Sequence, residues 1–405
     1  MIAMALISRP ALVIADEPTT ALDVTTQAQI LDLLKELKES LGTTLLFITH
    51  DLGVVAEIAD NVIVMQDGDV VEAGPVKEIF HRPKDDYTKK LLTSLPGRWG
   101  DDGPGATTSP ADEPVGEAPL LELRNLTMRF ETVAGKLFGR RSKESVTAVN
   151  DVSLSIPQGK TIGIVGESGC GKTTLGRMVL RAYQPTAGEM LYRRADGDIV
   201  DLAKLSNREL LGYRRDIRMV FQDPYGSLNP RMTVQEVIAE PLVVVKVPKS
   251  EIRDRVHDVL RKVGLESSMA ARYPHAFSGG QRQRISIARA VITSPRLVVA
   301  DEAVSALDAS VRTQVLELMG GLQEELDLTY LFISHDLSVV EQLCDEVAVM
   351  YFGEMVEHRP TAELFANPQH DYTRALLSAV PVSDPEERGT KKRIVYRRKQ
   401  DATAT

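Results

Sequence analysis

The sequence predicts an α/β fold built twice, first in part and then in full, and three observations predict it. Three segments recur at one offset of 285 residues: DEPTTALD at 16–23 as DEAVSALD at 301–308, THDLGVV at 49–55 as SHDLSVV at 334–340, and HRPKDDYTKKLLTSLP at 81–96 as ANPQHDYTRALLSAVP at 366–381. An offset held without a gap means two copies of one folded unit, not a shared composition. A glycine-rich loop, GESGCGKTT at 166–174, follows the apolar strand KTIGIVG and opens the helix TTLGRMVLR. Finally, short apolar runs deliver paired acids at their C-terminal ends, Asp16 with Glu17 and Asp301 with Glu302, the placement that a nucleotide-hydrolysing site uses to hold magnesium and aim a water.

The first copy spans 1–96. Its acid-bearing strand precedes a predicted helix with Ile30, Leu33, Leu34, Leu37 and Leu41 on one stripe, then a strand, TTLLFITH, and a hairpin, NVIVMQDG-DVVEAG. Met1 stands opposite Ser286, so whatever the second copy carries before Ser286 has no counterpart in the first. Residues 97–119, GRWGDDGPGATTSPADEPVGEAP, lack helical or strand periodicity and read as a flexible linker with a reach of roughly 25 Å. Within it Trp99 reads as a surface anchor. The complete copy runs over 120–381, and 382–405 read as a charged, solvated, disordered tail containing KKRIVYRRKQ.

Composition narrows the function classes. A chain of 405 residues with 43% hydrophobic content suits two or three globular domains. No apolar run approaches the ~20 residues that span a bilayer, and no charged-then-apolar leader opens the chain. Two cysteines, Cys170 and Cys344, support neither a disulfide framework nor a metal cluster, and a net charge of −9 argues against a nucleic-acid binder.

The loop at 166–174 fills every fixed position of G-x-x-x-x-G-K-[ST]. Gly166, Gly169 and Gly171 let backbone N–H groups close around phosphate oxygens, Lys172 neutralises their charge, and Thr173 offers a hydroxyl to magnesium. Glu167, Ser168, Cys170 and Thr174 complete the predicted ATP-binding loop, with Cys170 as a small filler rather than a redox switch. Ser278, Gly279 and Gly280 stand ahead of the predicted helix QRQRISIARAVI, so a hydroxyl, amides and a helix dipole face an anion.

Taken with FSGGQRQR at 277–284, RLVVADEAVSALD at 296–308, YLFISHD at 330–336 and FQDP at 221–224, this loop makes the chain resemble the ATP-binding cassette superfamily: Walker A loop, glutamine loop, signature, Walker B strand, D-loop and switch histidine, in that order. FQDPYGSLNPRMTV at 221–234 and the paired tails HDYTRALLSAVP and KDDYTKKLLTSLP narrow it to the ATPase subunits of oligopeptide, dipeptide and nickel importers, some of which fuse two ATPase units. The chain resembles such a tandem fusion with its head removed, that is, N-terminally truncated.

The resemblance implies a RecA-like core with a helical subdomain, ATP and Mg2+ as ligands, and attachment to the cytoplasmic face of the membrane. Its partners would be permease subunits, indirectly an extracytoplasmic binding protein, and a second ABC ATPase domain, with no nucleic acid. It implies that Asp301 holds magnesium through water with Thr173 and Gln222, that Glu302 is the general base, and that Gln222 and His335 meet the γ-phosphate. Ser278, Gly279, Gly280 and Gln281 would face nucleotide on the opposite subunit, and Asp308 would sit in the D-loop. Phe130 is the aromatic expected to stack on adenine, with Phe138 as competitor. Asp16, Glu17, Asp23 and His50 would be orphaned catalytic residues, because neither intramolecular sandwich could close; without the phosphate-loop strand, apolar strand edges would be exposed. Ala303, where proline is usual, loosens the turn that aims Glu302. The alternatives are a soluble non-transport ABC ATPase and a remnant that binds ATP but hydrolyses it poorly; acidic balance and the importer-type tails speak against the first.

Overall fold

The computed structural model describes residues 2–19, 22–93, 95, 119–133, 143–390 and 392–396. Trp99, Phe138 and nearly all of the linker lie outside the described residues. The chain divides into two compact units. The first takes the described parts of Met1–Ala106 and Gln369–Thr405 with Asp308–Thr313; the second takes those of Thr107–Leu307 with Gln314–Pro368.

In the first unit, β1 (Leu12–Asp16) and β2 (Thr44–Ile48) pair in parallel, and β3 (Asn61–Gln66) and β4 (Asp69–Pro75) form the expected antiparallel hairpin. Its two-residue turn places Asp67 and Gly68 at φ 52° and 92°, the left-handed pair that matches strand twist. The helix Val24–Leu41 starts where the Asp23 carboxylate accepts a bond from the Thr26 N–H at 2.9 Å, and ends at Gly42 with φ 63°. Its inward stripe differs from the predicted one: Ala28, Leu31 and Leu34 are buried while Leu33 is 40% exposed. Val54 and Ile58 of the following helix cluster with Leu31 and Leu34, and that packing decides which face turns in.

The sheet of this unit is two separate two-stranded pieces. Apolar side chains stand open on it: Leu46 and Ile48 are 47% and 46% exposed, and Leu12, Ile14, Ile63 and Met65 are more so.

The tail is corrected at particular residues within 382–390 and 392–396: Val382 and Pro385 are buried and Arg388 and Arg393 are bonded, while Glu386, Glu387, Gly389, Thr390, Lys392, Ile394 and Val395 stand exposed. Val382 joins the core of Ala56, Val64, Ile79, Phe80 and Leu92. Arg388 donates to the carbonyls of Val55, Ala56 and Ala59 at the C-terminal end of the helix Leu52–Ile58, where a cation complements the helix dipole. Arg393 pairs with Asp32 and Glu57.

The second unit opens with the long antiparallel pair β5 (Leu121–Val133) and β6 (Lys143–Ile156), followed by β7 (Thr161–Val165). Strands β8 (Ala187–Arg193) and β9 (Ile199–Asp201) extend the first pair into a four-stranded sheet, β6-β5-β8-β9. Five more strands, β10 (Ile217–Val220), β11 (Leu297–Asp301), β12 (Thr329–Ile333), β13 (Glu346–Tyr351) and β14 (Glu354–Pro360), join β7 in the order β10-β11-β12-β7-β13-β14. All neighbours are parallel except β13 and β14. The runs TIGIV, LVVAD and TYLFI are buried at every position, as continuous apolar strands covered on both faces must be. A helical segment intervenes between β10 and β11, built mainly of Val234–Val244, Lys249–Lys262 and Gly279–Val291.

The 285-residue offset reaches into the backbone. Leu12 pairs with Thr44 as Leu297 pairs with Thr329. Left-handed residues recur at the same spacing: Arg9 and Ser294, Glu17 and Glu302, Asp67 and Phe352.

Candidate nucleotide site

Strand β7 ends in the phosphate loop, and β11 and β12 bring their C-terminal ends to the same edge of the sheet. Gly166 (φ 147°) and Gly171 (φ 108°) are obligatory there, since a Cβ would meet the Met350 carbonyl oxygen at 2.1 Å and the Ala148 carbonyl oxygen at 2.2 Å. Ser168 and Gly169 lie exposed at the tip, while Glu167, Gly171, Thr173 and Thr174 are half-buried. Lys172, buried at the start of the helix Lys172–Val179, turns its Nζ back into the loop and donates to the carbonyls of Gly166 (2.6 Å) and Glu167 (2.8 Å). Cys170 is buried and burial pushes its thiol up, which suits a filler.

The Thr173 hydroxyl donates to Asp301 Oδ1 at 3.1 Å. Burial raises the Asp301 carboxyl, the Thr173 bond works against that, and the neighbouring Glu302 charge adds to it. Glu302 adopts φ 48°, a left-handed conformation uncommon for a residue with a side chain. Its backbone N–H is held by the Ile333 carbonyl at 2.8 Å. One carboxylate oxygen receives the Gln222 Nε2 at 2.6 Å and the other faces His335 Nδ1 at 3.2 Å. Burial works to raise this carboxyl, but the His335 hydrogen bond and charge outweigh it and hold it below the ordinary glutamate range. Six residues from four separate stretches of sequence, Lys172, Thr173, Gln222, Asp301, Glu302 and His335, are thus linked by direct contacts or chain adjacency. Beside Gln222 and Asp301 opens a cavity of about 930 Å3, with Arg177, Glu240 and Arg289 in its walls.

The remaining expected residues take other positions. Ser278 caps the helix Gly279–Val291: its hydroxyl accepts from the Gln281 N–H at 3.3 Å, and Gln281 Oε1 accepts from the Ser278 N–H at 3.1 Å. Gly279 and Gly280 therefore form the first helical turn and do not precede it. Space is open around Gly279: among the described residues, nothing outside its own helical turn and chain neighbours comes within 4 Å of a Cβ built on it. Asp308 also acts as a cap, accepting from the Val311 N–H at 2.9 Å, as Asp23 does in the first unit. Phe130 packs against the core and edge-on to Tyr183, centroids 5.4 Å apart. Tyr183, an aromatic the sequence reading passed over, carries the Arg177 guanidinium 5.9 Å from its ring centroid.

In the first unit, Glu17 has φ 42°, its N–H is held by the Ile48 carbonyl at 2.9 Å, and it faces His50 Nδ1 at 3.0 Å. Asp16 and Glu17 are exposed, whereas Asp301 is buried.

Oxygen donors at Thr173 and Asp301 suit a hard cation such as Mg2+. Among the described residues no cluster of three or more His, Cys, Asp or Glu could hold a metal. The donor set therefore fits an ion that takes its other ligands from phosphates and water.

Comparison with known proteins defines the class. Residues 149–305 of the second unit match the family model for ABC transporters, and two further segments, 71–116 and 356–403, match the C-terminal region of oligopeptide/dipeptide transporters. Among its relatives are the glutathione import ATP-binding proteins of Escherichia coli (strain K12) and Salmonella paratyphi A, each 48% identical over 402 residues, covering 95% of this chain and 63% of the relative. The chain therefore spans less than two thirds of their length. Among solved structures, cbiO1 from Clostridium perfringens, part of the ABC transporter complex cbiONQ, superposes with a TM-score of 0.52 at 27% identity over 62% of this chain and 92% of that one. A dimeric bacterial ABC transporter cassette gives 0.51 at 29% identity over 60% and 98%.

Proposed function

We propose that the chain is the ATP-binding and ATP-hydrolysing subunit that powers a membrane permease importing peptides of the oligopeptide/dipeptide class, working as a peripheral protein on the cytoplasmic face. One observation carries the reading: Glu302 is held between Gln222 and His335, one residue from the Asp301–Thr173 pair beside the phosphate loop. Each protein group has a task in that arrangement. Loop amides around Gly169 and the Lys172 ammonium hold the phosphates; Glu302, kept ionised by His335, accepts the proton of an attacking water. Gln222 holds one carboxylate oxygen in position and reports its state to the cavity beside it, where the permease would be felt. Thr173 and Asp301, with Gln222 nearby, would hold Mg2+, which would supply charge neutralisation to the bound phosphates.

The signature, Ser278 to Gln281, with Ser278 exposed and Gly279 and Gln281 half-buried, completes the reading if it serves nucleotide held by a second ATPase domain, supplied by another copy of the chain. We further read residues 1–96 as the C-terminal part of a second ATPase unit of the same fold. The matching strand register, the recurring left-handed residues and the doubly matched C-terminal family model support this. Asp16, Glu17, Asp23 and His50 then occupy the positions of Asp301, Glu302, Asp308 and His335. Related import proteins are named for glutathione, a small peptide, which fits the proposed substrate class.

The test is Glu302→Gln in the full chain, with Mg-ATP added and the oligomer read by size-exclusion chromatography with nucleotide analysis. The variant should retain unhydrolysed ATP in a dimer. Turnover equal to the parent's would remove Glu302 from its role.

A further inference from the structure

The helix Gly279–Val291 carries two arginines on one face, Arg282 and Arg289, seven residues and two turns apart. Both reach the glutamine loop. Arg282 lies 4.0 Å from the centroid of Tyr225, and its Nε and Nη2 donate to the carbonyls of Pro274 (2.8 Å) and His275 (3.3 Å), in the segment that leads into Ser278. Arg289 donates through Nη1 to the Ser227 carbonyl at 2.6 Å and sits 5.7 Å from the centroid of Phe221. Among the described residues one buried nitrogen of each guanidinium, Arg282 Nη1 and Arg289 Nη2, has no hydrogen-bond acceptor; an aromatic face stands beside each guanidinium, and the Glu240 charge also acts on Arg289. Phe221 and Tyr225 flank Gln222, and the Asp223 carboxylate fixes the turn between them by accepting from the Tyr225 N–H at 2.7 Å.

We propose that Arg282 and Arg289 are positioning residues that clamp the glutamine loop to the signature helix, so that a shift of Gln222 and a shift of Ser278 occur together. The clamp joins the two halves of the chemistry: one end of the loop holds Glu302 through Gln222, and the other end is gripped by the helix whose cap is Ser278. Its geometry exists without nucleotide, but its consequence for turnover rests on the ATPase reading above.

The experiment is hydrogen–deuterium exchange on the full chain without nucleotide, comparing the parent with Tyr225→Leu, Tyr225→Phe and Arg282→Gln. Removing the ring should speed exchange at 274–282 as well as 221–228, and removing the guanidinium should speed it at 221–228 as well as 274–282. Each effect should be about two- to fivefold, the factor an exposed cation–π contact is worth, and Tyr225→Phe should match the parent. Exchange faster only in the segment that carries the substitution would overturn the clamp. Steady-state assays on the same proteins separate the two readings: Tyr225→Leu should lower kcat by a similar factor with KM for ATP unchanged and Tyr225→Phe should restore it. A parent that binds no nucleotide would defeat the ATPase reading while leaving the exchange result to decide the clamp.

Discussion

Leu46 on β2 and Leu331 on β12 stand 285 residues apart at matching positions of two parallel strand pairs, yet Leu46 is 47% exposed and Leu331 is fully buried. Truncating both to alanine therefore measures what covers each sheet. Leu331→Ala removes a side chain packed in the main core and leaves a cavity, which costs about 2–5 kcal/mol. For Leu46→Ala only about half of the side chain's burial is lost, about 1 kcal/mol of transfer free energy, and solvent fills the space. The gap of at least about 1 kcal/mol corresponds to a roughly fivefold or larger difference in local opening. Amide exchange followed by mass spectrometry on peptides covering 44–48 and 329–333 reads both opening free energies in the intact chain. Equal costs at the two positions would refute the reasoning, because they would mean that β2 is as well covered as β12.

Three further outcomes follow from particular contacts. Gly171→Ala should abolish nucleotide binding, measured with a fluorescent ATP analogue, since a methyl group 2.2 Å from the Ala148 carbonyl oxygen cannot be housed with the loop in place. The acid limb of turnover should lie below the ordinary glutamate range, because the lowered Glu302 carboxyl stays ionised until pH falls through its folded value; His335→Leu should move that limb upward in the residual activity, as burial is then less opposed. Arg388→Ala should destabilise the first unit by about 1–3 kcal/mol in urea titration, since a cation bonded to several helix-end carbonyls is lost; exchange protection of 52–59 should fall with it.

The phosphate loop was legible because its constraints are local: glycines at positions where a Cβ collides with backbone, and a lysine and threonine at the start of one helix. The acid pairs were legible too, since a parallel sheet delivers strand ends to one edge. Other features depend on partners that sequence does not reveal. Arg388 grips carbonyls 329 to 333 residues away, and a run of basic residues with no period looks solvated until its acceptors are known. The predicted stripe through Leu33 missed Leu31 because the helix turns toward Val54 and Ile58, not toward the average of its apolar positions. Nothing in the sequence singles out Arg282 and Arg289, and the seven-residue spacing that sets them over one loop acquires meaning only beside Tyr225 and Phe221. Phe130 stands out in the sequence as the aromatic expected to stack on adenine, and its partner Tyr183 lies 53 residues on, beyond any local pattern.

On the proposed function the phosphate loop and the signature serve different nucleotides, and sharing of the hydrolytic site between chains is its central claim. Its most direct measurement is ATP turnover per chain as a function of chain concentration, with the oligomeric state recorded by light scattering in the same samples. Specific activity should rise with concentration in step with the dimer fraction and vanish in dilute monomer. A constant turnover per chain, undiminished where every molecule is monomeric, would contradict it.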